Sequence, residues 1–221
     1  MKLKYKNWEE ITVNVFERLN NAIEAVEETG NSDIDLLNKQ IAILSVLCDV
    51  DEDAIADLST GEFGELVLQT EFLNETPKKN IVNKVVLNGK EYEVFLSIQE
   101  MTMAQYIDYQ TYFPNREKKF KEILSIFILP KGKKYGEGYL VEDVIKDIGE
   151  YLPITDANNI MFFFALAFQS LTKVTLTSLT KDLKKMMKKE KNKERVEKMK
   201  EAIVKIQEAQ SSVENGVGFT M

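Results

Sequence analysis

A mostly α fold of the α+β class is predicted here: a multi-helix domain with one antiparallel β-hairpin and a long basic C-terminal helix. Three observations predict it. Apolar residues recur at three- and four-residue spacing in segment after segment between Trp8 and Ile206. The period switches to two only on either side of Asn88-Gly89. Proline is scarce, 4 in 221 residues, so helices can run without interruption.

The first helix is expected to open with Asn7 as N-cap and Glu10 reaching back, with Trp8, Ile11, Val15, Leu19, Ala22 and Val26 as its apolar stripe. Ser32 and Asp35 suggest a second cap, followed by Ile34, Leu37, Ile41, Leu44 and Leu47 on one face. Asp51-Glu52-Asp53 opens a short third helix, and Ser59 with Glu62 opens a fourth, striped by Phe63, Leu66, Val67, Thr70 and Leu73. Val82 to Leu87 and Lys90 to Leu96 then read as two strands about an Asn-Gly turn, because both turn positions of a type I′ hairpin need positive φ. Met1 to Tyr5 is the candidate third strand. Thr102 begins the next helix, with Met103, Tyr106, Ile107 and Gln110 on one side. Phe120, Ile123, Leu124, Phe127 and Ile128 stripe another, ahead of a Gly- and Lys-rich loop over 130–138. Val141 to Leu152 is helical until Pro153, and Thr155 or Asp156 caps the next, apolar helix. From Leu176 onward the pattern fits one long helix or two.

Charge divides the chain. Between Glu9 and Glu75 the only basic residues are Arg18 and Lys39, whereas 181–205 holds 11 Lys+Arg against 5 Asp+Glu, or +6. Since the whole chain carries −7, the remainder carries −13. Three regions are expected: an acidic helical region over 1–76, a hairpin and helical core over 80–175 that forms one domain with the first, and a basic helix with a loose tail over 176–221.

Chemistry is constrained by what is missing. With no His, the commonest general base and zinc ligand are absent, and so are Ser-His and Cys-His pairs. The single Cys48 sits in an apolar run and reads as a core residue. Asp49, Asp51 and Asp53 invite comparison with a calcium loop, but Ala54 and Thr60 stand where Gly and a bidentate Glu are needed. Gly132, Gly136 and Gly138 lack the spacing of a phosphate-binding loop. Tyr109, Tyr112, Phe113, Arg116 and Lys118 to Lys121 mix aromatic and basic residues, but a pI near 5.0 argues against nucleic acid. No catalytic, metal or cofactor site is therefore expected, and no enzymatic activity. The basic N-terminus lacks an adjoining apolar segment, and the run from Ile160 to Phe168 is too short for a bilayer, so neither a signal peptide nor a membrane span is expected.

What remains is protein binding. The segment 181–205 is the expected contact, with Lys184, Lys188 and Lys191 supplying charge and Met199 and Ile203 supplying apolar area. Replacing Met199 or Ile203 by Asp is expected to weaken association and leave the core intact. Self-association is a second use of the same polarity.

Three stretches carry a resemblance: Leu37-Asn38-Lys39-Gln40-Ile41-Ala42-Ile43-Leu44, Met101-Thr102-Met103-Ala104-Gln105-Tyr106-Ile107-Asp108 after the hairpin, and Pro130-Lys131-Gly132-Lys133-Lys134-Tyr135-Gly136-Glu137-Gly138-Tyr139. In this order they resemble small structural-module proteins of tailed bacteriophages, most of all the tail assembly chaperones, across roughly 37–168. The resemblance implies a non-enzymatic protein of the host cytoplasm that binds the tape-measure or tail proteins during assembly. The alternative it leaves is a virion component contacting capsid or portal proteins, and a third is a nucleic-acid-binding or regulatory phage protein. It carries over no individual binding residue, because that family's binding surface is not defined by a motif.

Overall fold

Asn7 caps only a single 3-10 turn, Trp8–Glu10, and the first full helix, α1 (Val13–Glu24), starts later than the sequence suggested. The cause is a tie to a distant part of the chain. Val13 N–H donates to the Leu152 carbonyl (3.1 Å) and Ile154 N–H donates to that of Ile11 (2.8 Å). Thr12 and Pro153 thereby form an antiparallel bridge that holds Ile11 and Thr12 extended. Only then does the Thr12 hydroxyl cap α1, accepting from Val15 N–H.

The computed structural model describes residues 1–95, 97, 100–188, 190 and 193–215. The chain divides into two units, one of Met1–Phe95 with Thr102–Ile160, the other of Leu96–Met101 with Met161–Met221. In the first unit α1 is succeeded by α2 (Ser32–Cys48), α3 (Glu52–Ala56) and α4 (Thr60–Gln69). The cap of α2 is Asn31, not Ser32: its side chain accepts from Asp33 and Ile34 N–H, while Asp35 turns back to Thr29. The predicted box at α4 is present, with the Ser59 and Glu62 side chains bonding each other's backbone N–H.

Strands β1 (Lys84–Leu87) and β2 (Lys90–Val94) form the expected hairpin, with Val85 opposite Tyr92 and Leu87 opposite Lys90. Asn88 (φ 51°) and Gly89 (φ 72°) both take the left-handed conformation that the two-residue turn requires. The third strand is not the N-terminus, which instead lies against α2 through Lys4 N–H and the Leu47 carbonyl. It is β3 (Ile128–Pro130), antiparallel to β2, in a sheet of order β1-β2-β3. Ile128, expected in a helix, is extended because Pro130 ends the helical hydrogen bonding.

Helix α5 (Met103–Tyr112) opens with a capping box of Thr102 and Gln105. Its orientation reverses the expected one. Met103 (71%) and Ile107 (58%) are exposed, while Gln105 and Tyr109 face inward. Helix α6 (Phe120–Phe127) buries Ile123, Leu124, Ile126 and Phe127, and α7 (Val141–Tyr151) buries Val144 and Ile148. Helix α8 (Ile154–Met187) begins directly after Pro153, so Thr155 and Asp156 lie in its first turn and do not cap it. The first two turns of α2 also differ from expectation: Ile34 and Leu37 are exposed, and its core contribution begins at Ala42.

One carboxylate anchors the hairpin. Asp147 on α7 is buried and accepts from Tyr92 Oη (2.6 Å), Lys90 Nζ (2.8 Å) and Asn88 Nδ2 (3.3 Å). Burial pushes its pKa up, but hydrogen bonds from Lys90, Tyr92 and Asn88 outweigh that and hold it below the usual carboxylate value.

This geometry has two measurable consequences. Gly89→Val should destabilise the protein by about 1 kcal/mol or more, read from denaturant midpoints. Open space surrounds the position, so the cost lies in the backbone alone. Asp147→Ala should cost about 1–3 kcal/mol at neutral pH, because the Tyr92 hydroxyl is left buried without its acceptor. A depressed folded-state pKa stabilises fully above the unfolded value of about 3.9 and loses that contribution as pH falls through the folded value. The gap between wild type and Asp147→Ala should therefore narrow below about pH 4; a constant gap from about pH 7 to about pH 3 would refute the assignment.

Candidate partner-binding surface

The second unit contains the part of α8 beyond Ile160 and a further helix, α9 (Lys193–Asn215). The basic segment is therefore not one helix. It is shared between the end of α8 and most of α9, and the boundary expected at 175/176 falls inside α8. Between them the described residues Lys188 and Glu190 are not helical.

Each helix has one inward stripe. On α8 it is Leu176, Thr180, Leu183 and Met187, at spacings of four, three and four. On α9 it is Val196, Met199, Ile203 and Ile206. Leu179 and Met186 (54%) are exposed, and of the apolar residues Leu179, Leu183 and Met186 only Leu183 turns inward. A shift of one residue separates Met186 from Met187, and composition alone does not choose between adjacent methionines.

The predicted contact residues divide accordingly. Lys184 and Lys188 are exposed, Met199 is half-buried and Ile203 is 9% exposed. Ile203 thus belongs to the core of this unit, which corrects the expectation that Ile203→Asp would spare the fold. Lys191 lies outside the described residues.

Lys184 and Lys188 instead border a hollow of about 480 Å³ between α8 and α9. Its other lining residues are Thr177, Thr180, Lys181, Lys185 and Gln207. Lys181, Lys184, Lys185 and Lys188 stand at i, i+3, i+4 and i+7, so their stems share one helical face. Lys185 is 3.8 Å from Asp182, but among the described residues no carboxylate pairs with Lys181, Lys184 or Lys188. The Thr180 hydroxyl oxygen is enclosed and makes no hydrogen bond, the only such side-chain atom among the described residues. Sequence reasoning missed Thr177, Thr180 and Gln207; the lysine spacing was the readable signal.

The other sequence candidates have structural partners. The Asp49 carboxylate accepts from Lys4 Nζ (2.7 Å) and Arg18 Nη2 (3.1 Å), which neutralise it where a calcium ligand would need to be open. In the Gly-rich loop Lys131 pairs with Glu91, and Tyr135 donates to Asp108 (2.7 Å). In the aromatic-basic stretch the Tyr109 ring packs on Phe113 (5.1 Å) and Phe127 (6.0 Å), while Lys121 pairs with Glu17 (2.8 Å). Burial pushes the half-buried Cys48 thiol up, away from thiolate reactivity. Among the described residues no group of three or more carboxylate and Cys side chains is placed to hold a metal, and no helix is long and apolar enough to cross a membrane.

Ile203→Asp should cost about 3 kcal/mol or more in the second unit, since it places a charge among apolar side chains. Met186→Asp, on the exposed side, should stay within about 0.5 kcal/mol of wild type. Hydrogen exchange across α9 distinguishes them: protection should collapse in the first variant and persist in the second.

In comparisons with known proteins, the chain matches no protein-family model, no curated protein and no solved structure.

Proposed function

We propose that this protein is a non-enzymatic phage assembly protein that binds another structural protein through its basic two-helix unit, acting in the host cytoplasm as a tail assembly chaperone for the tape-measure protein. The observation that carries the binding role is the face of α8 on which Lys181, Lys184 and Lys188 have no carboxylate partner among the described residues. Lysines at i,i+4 repel one another by about 0.2–0.5 kcal/mol per pair, and while Asp182 at 3.8 Å offsets Lys185, the pair Lys184–Lys188 has no such carboxylate among the described residues. A carboxylate at either spacing would remove that cost, as Glu194 and Glu197 do for Lys198 and Lys200 on α9. A face that keeps the repulsion is suited to an anionic partner. The phage assignment rests on the resemblance over 37–168, and the absence of His leaves no competing catalytic reading with named residues.

The test is co-expression of the full chain with the tape-measure protein of the same phage. Wild type should keep that partner in the soluble fraction. A Lys181→Glu, Lys184→Glu, Lys188→Glu triple variant should lose at least half of it while retaining its own helical signal. If wild type leaves the partner insoluble and instead copurifies with mature particles, the chaperone assignment gives way to a virion component.

A further inference from the structure

Beyond the identity of any one partner, the hollow between α8 and α9 specifies the chemistry it accepts. We infer that it receives an acidic amphipathic helix, with one apolar side chain seated against Thr177 and Thr180 and carboxylates from successive turns paired to Lys181, Lys184, Lys185 and Lys188. The inference rests on the reading of this unit as a partner surface and adds the class of ligand.

Two features carry it. The lining is made of Thr177, Thr180, Gln207 and four lysines, residue types whose methyl and methylene groups can seat an apolar group beside the charges. Cations at the rim repeat at i, i+3, i+4 and i+7, the spacing at which a second helix can present carboxylates along one stripe.

A polynucleotide suits the hollow less well. Its lining holds no aromatic ring on which a base could stack and no guanidinium to grip phosphate bidentately.

The experiment uses the full-length protein and a fluorescent synthetic helix of about six turns, with Glu at i, i+3, i+4 and i+7 around a central Leu. Binding is monitored by anisotropy at several salt concentrations. The helix should bind, and binding should weaken with salt. A Lys184→Glu, Lys188→Glu variant should weaken it about tenfold, two exposed ion pairs having become repulsions. Replacing the central Leu by Ala should weaken it several-fold, a loss that charge attraction alone does not produce. The variants are at exposed positions, and their helical signal should match wild type.

Equal binding of a scrambled peptide of the same composition would overturn the inference, as would undiminished binding to the double variant. Displacement of the peptide by an equal concentration of single-stranded DNA of like charge would assign the hollow to a polynucleotide. Salt-sensitive self-association of the protein alone, abolished by the same double variant, would assign it to the acidic region of a second copy. Failure of the peptide alongside success in co-expression would overturn this ligand class and leave the assembly role standing.

Discussion

A four-residue strand paired with a five-residue strand is too small to hold its shape in water, and the buried carboxylate of Asp147 is what fixes this one. It bonds the turn residue Asn88, the first residue of β2 and the inward ring of Tyr92. Burying a charge is costly unless it is paired and hydrogen-bonded, and both conditions are met here. Lys90 keeps its ammonium exposed, so only one partner of the pair is desolvated. A slip of one residue in β2 would turn Tyr92 to the opposite face and remove a donor from Asp147. Turn geometry and a single acid thus impose the same register independently.

With β2 fixed, its second edge sets the path of the chain beyond α6. Strand β3 pairs there immediately, and the helix-to-strand change leaves the last carbonyls of α6 to be satisfied. The helical partner of the Ile126 carbonyl would be the N–H of residue 130, which is proline and has none. Gln105 supplies the bond instead, donating from Nε2 at 2.9 Å. That requirement turns Gln105 inward, and the helical period then carries Met103 and Ile107 outward. The polar residue occupies the interior because an orphaned buried carbonyl costs more than two exposed apolar side chains.

Sequence was most informative where a local rule has only one solution. Asn88-Gly89 demands positive φ at two positions, and Ser59 with Glu62 closes a box that needs no distant partner. It was least informative where the deciding group lies far along the chain. Amphipathic counting finds an apolar stripe on α5 and at the start of α2, but it cannot say whether anything covers that stripe. Ile128 satisfies the helical template and is nonetheless a strand: Pro130 ends the helical bonding, and the edge that then pairs it belongs to β2, well upstream in the chain. In the basic segment, the composition and the exposed lysines were legible. The hollow was not, because it needs Gln207 from α9 beside Thr177 from α8.

Charge is distributed to different ends in the two units. In the first, several cations are absorbed into the fold: Lys4 and Arg18 by Asp49, Lys121 by Glu17, Lys119 by Glu122. In the second, Lys181, Lys184 and Lys188 share one helical face and have no such partner among the described residues. Part of this excess has an ordinary cause, because cations in the last turn of a helix are stabilised by its dipole. That accounts for Lys184 and Lys185 in the last turn of α8 and for Lys188 directly after it. It does not account for Lys181, a further turn back, where the dipole has largely faded and the repulsion from Lys184 and Lys185 remains. The face is more basic than the stability of its own helix requires, and the surplus is available to a ligand.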